Sequence, residues 1–226
     1  MTAVWAHRGS TERARENTLA SFRAARECGA DGVELDVRTT ADGVLVVHHD
    51  PLLDGRPLAG LDAADLPAWL PTLEAALGEC SGLAVDIEVK NLPTEAGYDP
   101  DERTAVATAE LVTRLGPASP VVISAFSMTT LDAARAAAPL VATGWLTLAA
   151  FDQLEALHLA VARGHRALHP RHEAVTPELV TAAHDLGVAV NAWTVDDPAR
   201  VRELAAAGVD AVITNAVGPA LAGLGR

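Results

Sequence analysis

The residues of this chain that could do chemistry lie mostly within its first 90 positions. They comprise two imidazoles, three carboxylates, one guanidinium and one ammonium: His7, His49, Glu34, Asp36, Glu88, Arg8 and Lys90. Histidines exchange protons near neutral pH, carboxylates hold hard cations, and basic side chains suit a phosphate. This set of groups predicts metal-assisted cleavage of a phosphate ester.

The composition is that of an ordinary globular protein. The chain has 226 residues, of which 50% are apolar and 21% are charged. One large core is therefore expected, and we predict a single domain spanning 1–226. The formal net charge of −13 argues against non-specific binding to nucleic acid. A small anionic substrate stays possible, because local positive groups and a bound cation can reverse the field inside a pocket.

The two cysteines, Cys28 and Cys80, have neither metal-binding nor redox spacing, so we expect reduced thiols. The N-terminus shows no secretory signal pattern, and no apolar run is long enough to span a bilayer. We therefore expect a cytoplasmic enzyme without stable membrane association. The oligomeric state is left open.

Regular helix boundaries divide the chain into alternating strands and helices. Thr176-Pro177 and Asp197-Pro198 each open a helix, and Asn17 or Thr18 caps the first one. Glycines close these helices, at Gly29, Gly187 and Gly208. Eight strands are predicted, at 3–7, 31–36, 83–89, 120–125, 141–146, 166–169, 188–193 and 209–214. Eight βα units favour a closed (β/α)₈ barrel of the TIM type.

One segment interrupts this alternation. Between Asp36 and Val44 there is no room for a helix, and Asp42-Gly43 is a strong hairpin signal. We predict a β-hairpin after the second strand, with Asp36 roughly opposite His49. The hairpin would rise from the barrel rim and bring His49 back to the level of the carboxylates.

The carboxylates predict a metal site at the C-terminal rim, where barrels of this kind carry their active sites. Glu34 and Asp36 are two residues apart and share a strand face, and Glu88 and Lys90 repeat that spacing. Three carboxylates there would repel one another unless a cation lay between them. Oxygen ligands favour Mg²⁺, Ca²⁺ or Mn²⁺.

The histidines His7 and His49 are the candidate acid and base, one accepting a proton while the other donates one. His48 alternates to the opposite face and is expected to be structural. Of the later histidines, only His169 follows a strand closely enough to approach the rim.

Arg8 and Lys90 are the candidate phosphate-binding groups, although a surface ion pair is an alternative for each. Glu16 and Asn17 are expected to support them by orienting Arg8 or a histidine. Trp193 could form an apolar wall for the alcohol part of a substrate, with core packing nearly as plausible.

The ordered combination of motifs resembles the glycerophosphodiester phosphodiesterase family. The motifs are His7-Arg8-Gly9, Glu16-Asn17-Thr18, Glu34-Leu35-Asp36-Val37, Asp42-Gly43 with Val46-Val47 and His49-Asp50, and Ile87-Glu88-Val89-Lys90. Later segments agree with the family pattern, at Ile123 to Ser127, Trp193-Thr194-Val195 and Gly208 to Thr214.

The resemblance covers nearly the whole chain and implies a (β/α)₈ barrel. It implies that one divalent cation, Mg²⁺ or Ca²⁺ with Mn²⁺ as a further possibility, is held by Glu34, Asp36 and Glu88. It also implies that His7 and His49 are the catalytic pair.

The implied reaction converts a small-molecule glycerophosphodiester to glycerol phosphate and an alcohol. Here the chain departs from the family in one respect. Only Leu52 to Leu70 stand where family members carry a longer, often helical insertion, a segment that shapes the substrate cap.

Two alternatives remain at this point. A lysophospholipase D-type phosphodiesterase acting on lysophospholipids would need an apolar groove, and an aromatic content of 4% gives that little support. A non-catalytic barrel that binds glycerol phosphate would lose its proton-transfer groups, whereas here every expected polar position is filled.

Overall fold

The computed structural model describes residues 1–116 and 118–226. The strands are β1 Ala3–His7, β2 Gly32–Thr39, β3 Leu45–Val47, β4 Leu52–Leu53, β5 Arg56–Pro57, β6 Ala84–Val89, β7 Val121–Ala125, β8 Ala142–Thr147, β9 Ala167–Pro170, β10 Ala189–Ala192 and β11 Ala211–Thr214. The helices are α1 Leu19–Glu27, α2 Leu73–Glu79, α3 Arg103–Leu115, α4 Met128–Ala137, α5 Gln153–Arg163, α6 Pro177–Asp185, α7 Pro198–Ala207 and α8 Val217–Gly223.

The parallel strands form a closed ring with helices between them. Their order is β1-β2-β6-β7-β8-β9-β10-β11, and β11 pairs with β1 to close the barrel. The predicted (β/α)₈ TIM-barrel fold is thereby confirmed, and every predicted strand boundary lies within three residues of the observed one.

Alternation along β2 and β6 separates the apolar core from the polar interior of the barrel mouth. The outward-facing residues of both strands join the main core beneath the helices: Val33, Leu35, Val37, Val85, Ile87 and Val89. The intervening residues of the same strands are polar: Glu34, Asp36 and Arg38 in β2, Asp86 and Glu88 in β6. Packing of the outer face therefore fixes where the inner polar residues lie.

The helix boundaries follow the predicted side-chain caps. The N–H groups of Ser21, Leu179 and Ala199 donate to the side chains of Thr18, Thr176 and Asp197, respectively. Thr18, rather than Asn17, is the cap of α1. None of the helices in the described part of the chain is long and apolar enough to cross a membrane. Cys28 and Cys80 are free thiols, as expected.

The predicted hairpin is present, but the predicted pairing of its two strands was wrong by one residue. β3 pairs antiparallel with β2 so that Val37 faces Val47, and the His48 N–H donates to the Asp36 carbonyl at 2.9 Å. A two-residue Asp42-Gly43 turn would need positive φ at both positions, whereas only Gly43 is left-handed, at 82°. The loop consequently holds one more residue, and Asp36 lies opposite His48 instead of His49.

The loop after β1 depends on Gly9, whose φ of 81° favours glycine. A Cβ added there would lie 2.7 Å from the Ser21 backbone carbon, whereas a Cβ on Gly43, at nearly the same φ, would meet nothing within 4 Å. This close approach brings the loop that follows His7 onto the first turn of α1.

We expect Gly43→Ala to lower the free energy of unfolding by about 1–2 kcal/mol, the cost of a left-handed alanine. Gly9→Ala should cost about 1–3 kcal/mol more, because overpacking adds to the same backbone cost. Urea unfolding of both variants measures the difference. Equal losses in the two variants would contradict the close contact between this loop and α1.

Candidate active site

Three carboxylates converge at the C-terminal mouth of the barrel. The parallel register places Asp36 of β2 beside Glu88 of β6, one step above the pair formed by Glu34 and Asp86. Glu34, Asp36 and Glu88 are 4%, 0% and 8% exposed, and one oxygen atom from each lies within 4.8 Å of the other two. Two neighbouring strands therefore build a compact set of oxygen ligands.

The oxygen atoms of this set suit a hard cation. Glu34 Oε1 is buried, and no described residue donates a hydrogen bond to it. Buried carboxylate oxygens without donors are costly, and a divalent cation is the partner that oxygen ligands favour. The residues present thus fit a metal ion.

Two basic side chains partly neutralise the carboxylates. Lys90 Nζ lies 2.6 Å from Glu88 Oε1 and 3.0 Å from Asp36 Oδ1. Arg8 Nε lies 3.2 Å from Asp36 Oδ2, and the Arg8 backbone N–H donates to Glu34 Oε2 at 3.1 Å. Both cations therefore lie beside the ligand set, where a phosphate bound there would meet them.

The carboxyl groups differ strongly in pKa because their neighbours differ. Burial raises the pKa of Glu34 well above its usual range, and the Asp36 and Glu88 carboxylates raise it further. Burial likewise raises the pKa of Glu88 to about 7, against the opposing effect of Lys90. Burial would also raise the pKa of Asp36, but Lys90 and Arg8 outweigh it and lower that pKa to about 2. Asp36 is thus the ionised centre of the set.

His7 ends β1 and faces Glu34, with its Nε2 atom 3.8 Å from Glu34 Oε2. Its Nδ1 atom lies 2.7 Å from Asn215 Oδ1, and Asn215 Nδ2 in turn donates to Asp196 Oδ2 at 2.9 Å. Because Asp196 fixes the Asn215 amide with its oxygen toward His7, the proton of a neutral His7 ring belongs on Nδ1. Burial lowers the His7 pKa, which favours this neutral form.

His49 follows the hairpin strand β3. Its Nδ1 atom lies 2.8 Å from Asp50 Oδ1, and its side chain is 35% exposed. It directly follows His48, whose backbone N–H donates to the Asp36 carbonyl at 2.9 Å, so His49 comes just after the residue that pairs with Asp36. His48 packs elsewhere, with its ring centroid 6.1 Å from that of Trp69.

Glu16 and Asn17 support different parts of the site. Arg8 Nη1 donates to the two Glu16 carboxylate oxygens at 3.2 Å each. Asn17 Nδ2 donates to Asp36 Oδ2 at 2.8 Å, and the Asn17 backbone N–H donates to the Arg8 carbonyl at 3.0 Å, so Asn17 contacts both a carboxylate and the main chain of Arg8. Asn17 reaches this position with a left-handed φ of 55°.

Trp193 lies just after β10 at the same rim and is partly exposed. Its Nε1 donates to the His169 carbonyl at 2.6 Å, and the Phe126 ring meets it edge-on at 5.5 Å between centroids. The indole is therefore held in place by the barrel while part of its surface stays accessible.

His169 does not reach the rim. It is fully buried inside the barrel, with Nδ1 3.2 Å from Asp86 Oδ2 and Nε2 2.9 Å from Asn191 Nδ2. It belongs to a buried polar layer with Asp86 and Asn191, one step below Asp36 and Glu88.

The sequence analysis missed Asn215 and Asp196. A usable signal was present, because Asn215 directly follows the last strand, and the last strand of a closed barrel lies beside the first. The pairing of Ala6 with Thr214 shows this adjacency.

The comparisons with known proteins agree with this geometry. The model of the glycerophosphoryl diester phosphodiesterase family matches residues 7–219. A glycerophosphodiester phosphodiesterase from Caldanaerobacter subterraneus subsp. tengcongensis is 32% identical over 238 aligned positions, covering 95% of this chain and 94% of the relative.

Solved structures show the same similarity. A phosphodiesterase from Oleispira antarctica, solved in complex with the product sn-glycerol-3-phosphate, superimposes with a TM-score of 0.84 at 27% identity, covering 100% of this chain and 98% of its own. A glycerophosphodiester phosphodiesterase from Parabacteroides distasonis gives a TM-score of 0.82 at 29% identity, with coverages of 95% and 92%. Both the motifs and the barrel thus lead to one conclusion: the chain belongs to the glycerophosphoryl diester phosphodiesterase family of phosphoric diester hydrolases.

Proposed function

We propose that this chain, acting as one barrel domain over 1–226, hydrolyses glycerophosphodiesters to glycerol phosphate and an alcohol with the help of a divalent cation. The observation that carries the proposal is the set of three buried carboxylates flanked by His7, Arg8 and Lys90. The Oleispira relative, which binds sn-glycerol-3-phosphate as its product, supports the substrate class.

The carboxylates of Glu34, Asp36 and Glu88 would hold the cation, Mg²⁺ or Ca²⁺, with Mn²⁺ also compatible with oxygen ligands. A bound dication would lower the pKa of the attacking hydroxyl and offset charge on a phosphoryl oxygen. Asn17 keeps Asp36 oriented through the bond to Oδ2.

His7 would accept the proton of the attacking hydroxyl at Nε2. Its Nδ1–H is committed to Asn215, so the lone pair on Nε2 faces Glu34 and the interior of the site. The Asp196–Asn215 pair holds the ring in this tautomer.

His49 would donate the proton that the departing alkoxide needs. Its Nδ1 atom lies 2.8 Å from the adjacent Asp50 carboxylate, a contact that would leave Nε2 for the departing group. Arg8 and Lys90 would stabilise charge that builds on the phosphoryl oxygens, since guanidinium and ammonium groups act strongly in a site shielded from water. Trp193 would form the apolar wall for part of the alcohol.

The metal proposal predicts stabilisation by cations. In saturating Mg²⁺, Ca²⁺ or Mn²⁺, about 100-fold above the Kd, the wild-type protein should gain about 2.7 kcal/mol in free energy of unfolding. Glu34→Gln should lose most of this gain, because the amide replaces a ligand oxygen without changing side-chain size. Denaturant unfolding with and without cation measures this gain in the free energy of unfolding for each protein.

The matched control is Glu203→Gln, which changes a carboxylate that is 66% exposed on α7 and should keep the full gain. An unchanged gain in Glu34→Gln would place the cation elsewhere and reject this ligand set.

The proton-transfer proposal predicts that His7→Ala and His49→Ala each lower kcat for choline release from glycerophosphocholine by about 10²–10⁴-fold. Thermal melting should show both variants folded, and His158→Ala, on the exposed face of α5, should keep wild-type activity. Near-normal turnover in both site variants would reject the assigned roles. A parallel assay on lysophosphatidylcholine separates the lysophospholipase D-type alternative.

A further inference from the structure

Arg38 is a buried cation that the proposed reaction does not use. It lies in β2 two residues beyond Asp36, on the same face of the strand, and is only 7% exposed. A buried guanidinium is expensive unless its donors are paired, so its partners indicate what it does.

Two donors of Arg38 converge on one atom. Nε and Nη2 donate to the backbone carbonyl oxygen of His49 at 2.8 and 2.6 Å. The third contact runs from Nη1 to Glu95 Oε2 at 3.0 Å. Glu95 follows Lys90 in the loop between β6 and α3, so Arg38 ties the end of the hairpin to the loop beyond the metal-ligand strand.

The His49 segment needs such support because the sheet stops before it. The β2–β3 pairing ends at Val47, and the next bond, from the His48 N–H to the Asp36 carbonyl, is the last in the described ladder. Beyond it the carbonyl of His49 is held by Arg38. The guanidinium fork therefore holds the carbonyl oxygen of His49, and with it the peptide that joins His49 to Asp50.

The surroundings give this segment room to move. Arg38 lines a cavity of about 380 Å³ together with Lys90, Pro51 and Tyr98. A shorter side chain at position 38 would leave the residues after His49 without a rigid neighbour on that side.

Building on the proposed function, we propose that Arg38 is a positioning residue for His49, holding its imidazole where it can protonate the departing alcohol. Arg38 touches neither substrate nor cation in this role. Its effect is transmitted through the His49 carbonyl, and Glu95 keeps the guanidinium aligned.

The test compares two substrates that differ in how much the leaving group needs a proton. Glycerophosphocholine releases an alkoxide that must be protonated, whereas the p-nitrophenyl ester of glycerol phosphate releases a stable phenolate. In Arg38→Lys, which keeps the charge but not the planar fork, kcat for glycerophosphocholine should fall about 10–100-fold. For the p-nitrophenyl ester kcat should fall less than about 3-fold, and KM should change little for either substrate.

His49→Ala should also lose more kcat on glycerophosphocholine than on the p-nitrophenyl ester, and by a larger factor. It is the reference against which Arg38→Lys is compared. Arg103→Lys is the matched control, because Arg103 lines the same cavity but forms an exposed pair with Asp99. It should resemble the wild type on both substrates. Thermal melting confirms that each variant is folded, and Arg38→Gln replaces Arg38→Lys if the latter does not fold.

Equal losses on the two substrates, or no loss on either, would overturn the positioning role while leaving the proposed function intact. A mismatch between the selectivity of Arg38→Lys and that of His49→Ala would overturn it too. A wild-type protein that turns over neither substrate would instead overturn the proposed function itself.

Discussion

Repulsion between buried carboxylates is the constraint on which the site depends. Glu34, Asp36 and Glu88 bring three negative charges into the barrel mouth, and Arg8 and Lys90 return two positive ones. The remaining negative charge can be neutralised by a proton or by a bound cation. The raised pKa values of Glu34 and Glu88 show that protonation of these carboxyl groups is favoured. A dication at the same oxygens would take the place of those protons, so metal binding at this site would be linked to ionisation of the carboxyl groups. The fold thus places three carboxylates where a hard cation can bind them.

The packing of β2 and β6 in the barrel holds these repelling carboxylates close together. The outward residues of β2 and β6 pack into the main core, and their alternation forces the inward carboxylates together. The histidines come from outside this pair of strands. His7 ends β1 and is oriented by the far end of the chain through Asn215, whereas His49 stands on a hairpin that leaves the barrel. The two histidines are therefore anchored by different elements: Asn215 after β11 holds the His7 ring, and Arg38 in β2 holds the His49 carbonyl.

Much of this arrangement follows from local sequence patterns. The (β/α)₈ barrel was predictable because capping residues and glycines mark each helix, and Glu34, Asp36 and Glu88 were predictable because strand alternation and the C-terminal rim rule suffice to group them. The hairpin register was not predictable from the sequence. It depends on whether Asp42 adopts a left-handed φ, and an Asp-Gly sequence is compatible with either a two-residue or a three-residue loop. The bond from Asn17 to Asp36 was not predicted, because the loop that carries Asn17 folds by tertiary contacts. Asn215 acts on a residue 208 positions away, a relation that only barrel closure creates.

The most direct test of this account is an anomalous difference map from crystals grown with MnCl₂. The account predicts one strong peak within about 2.0–2.6 Å of an oxygen atom from each of Glu34, Asp36 and Glu88. A map with no peak at the barrel mouth, or with its strongest peak bound by other residues, would contradict the claim that these carboxylates form the metal centre.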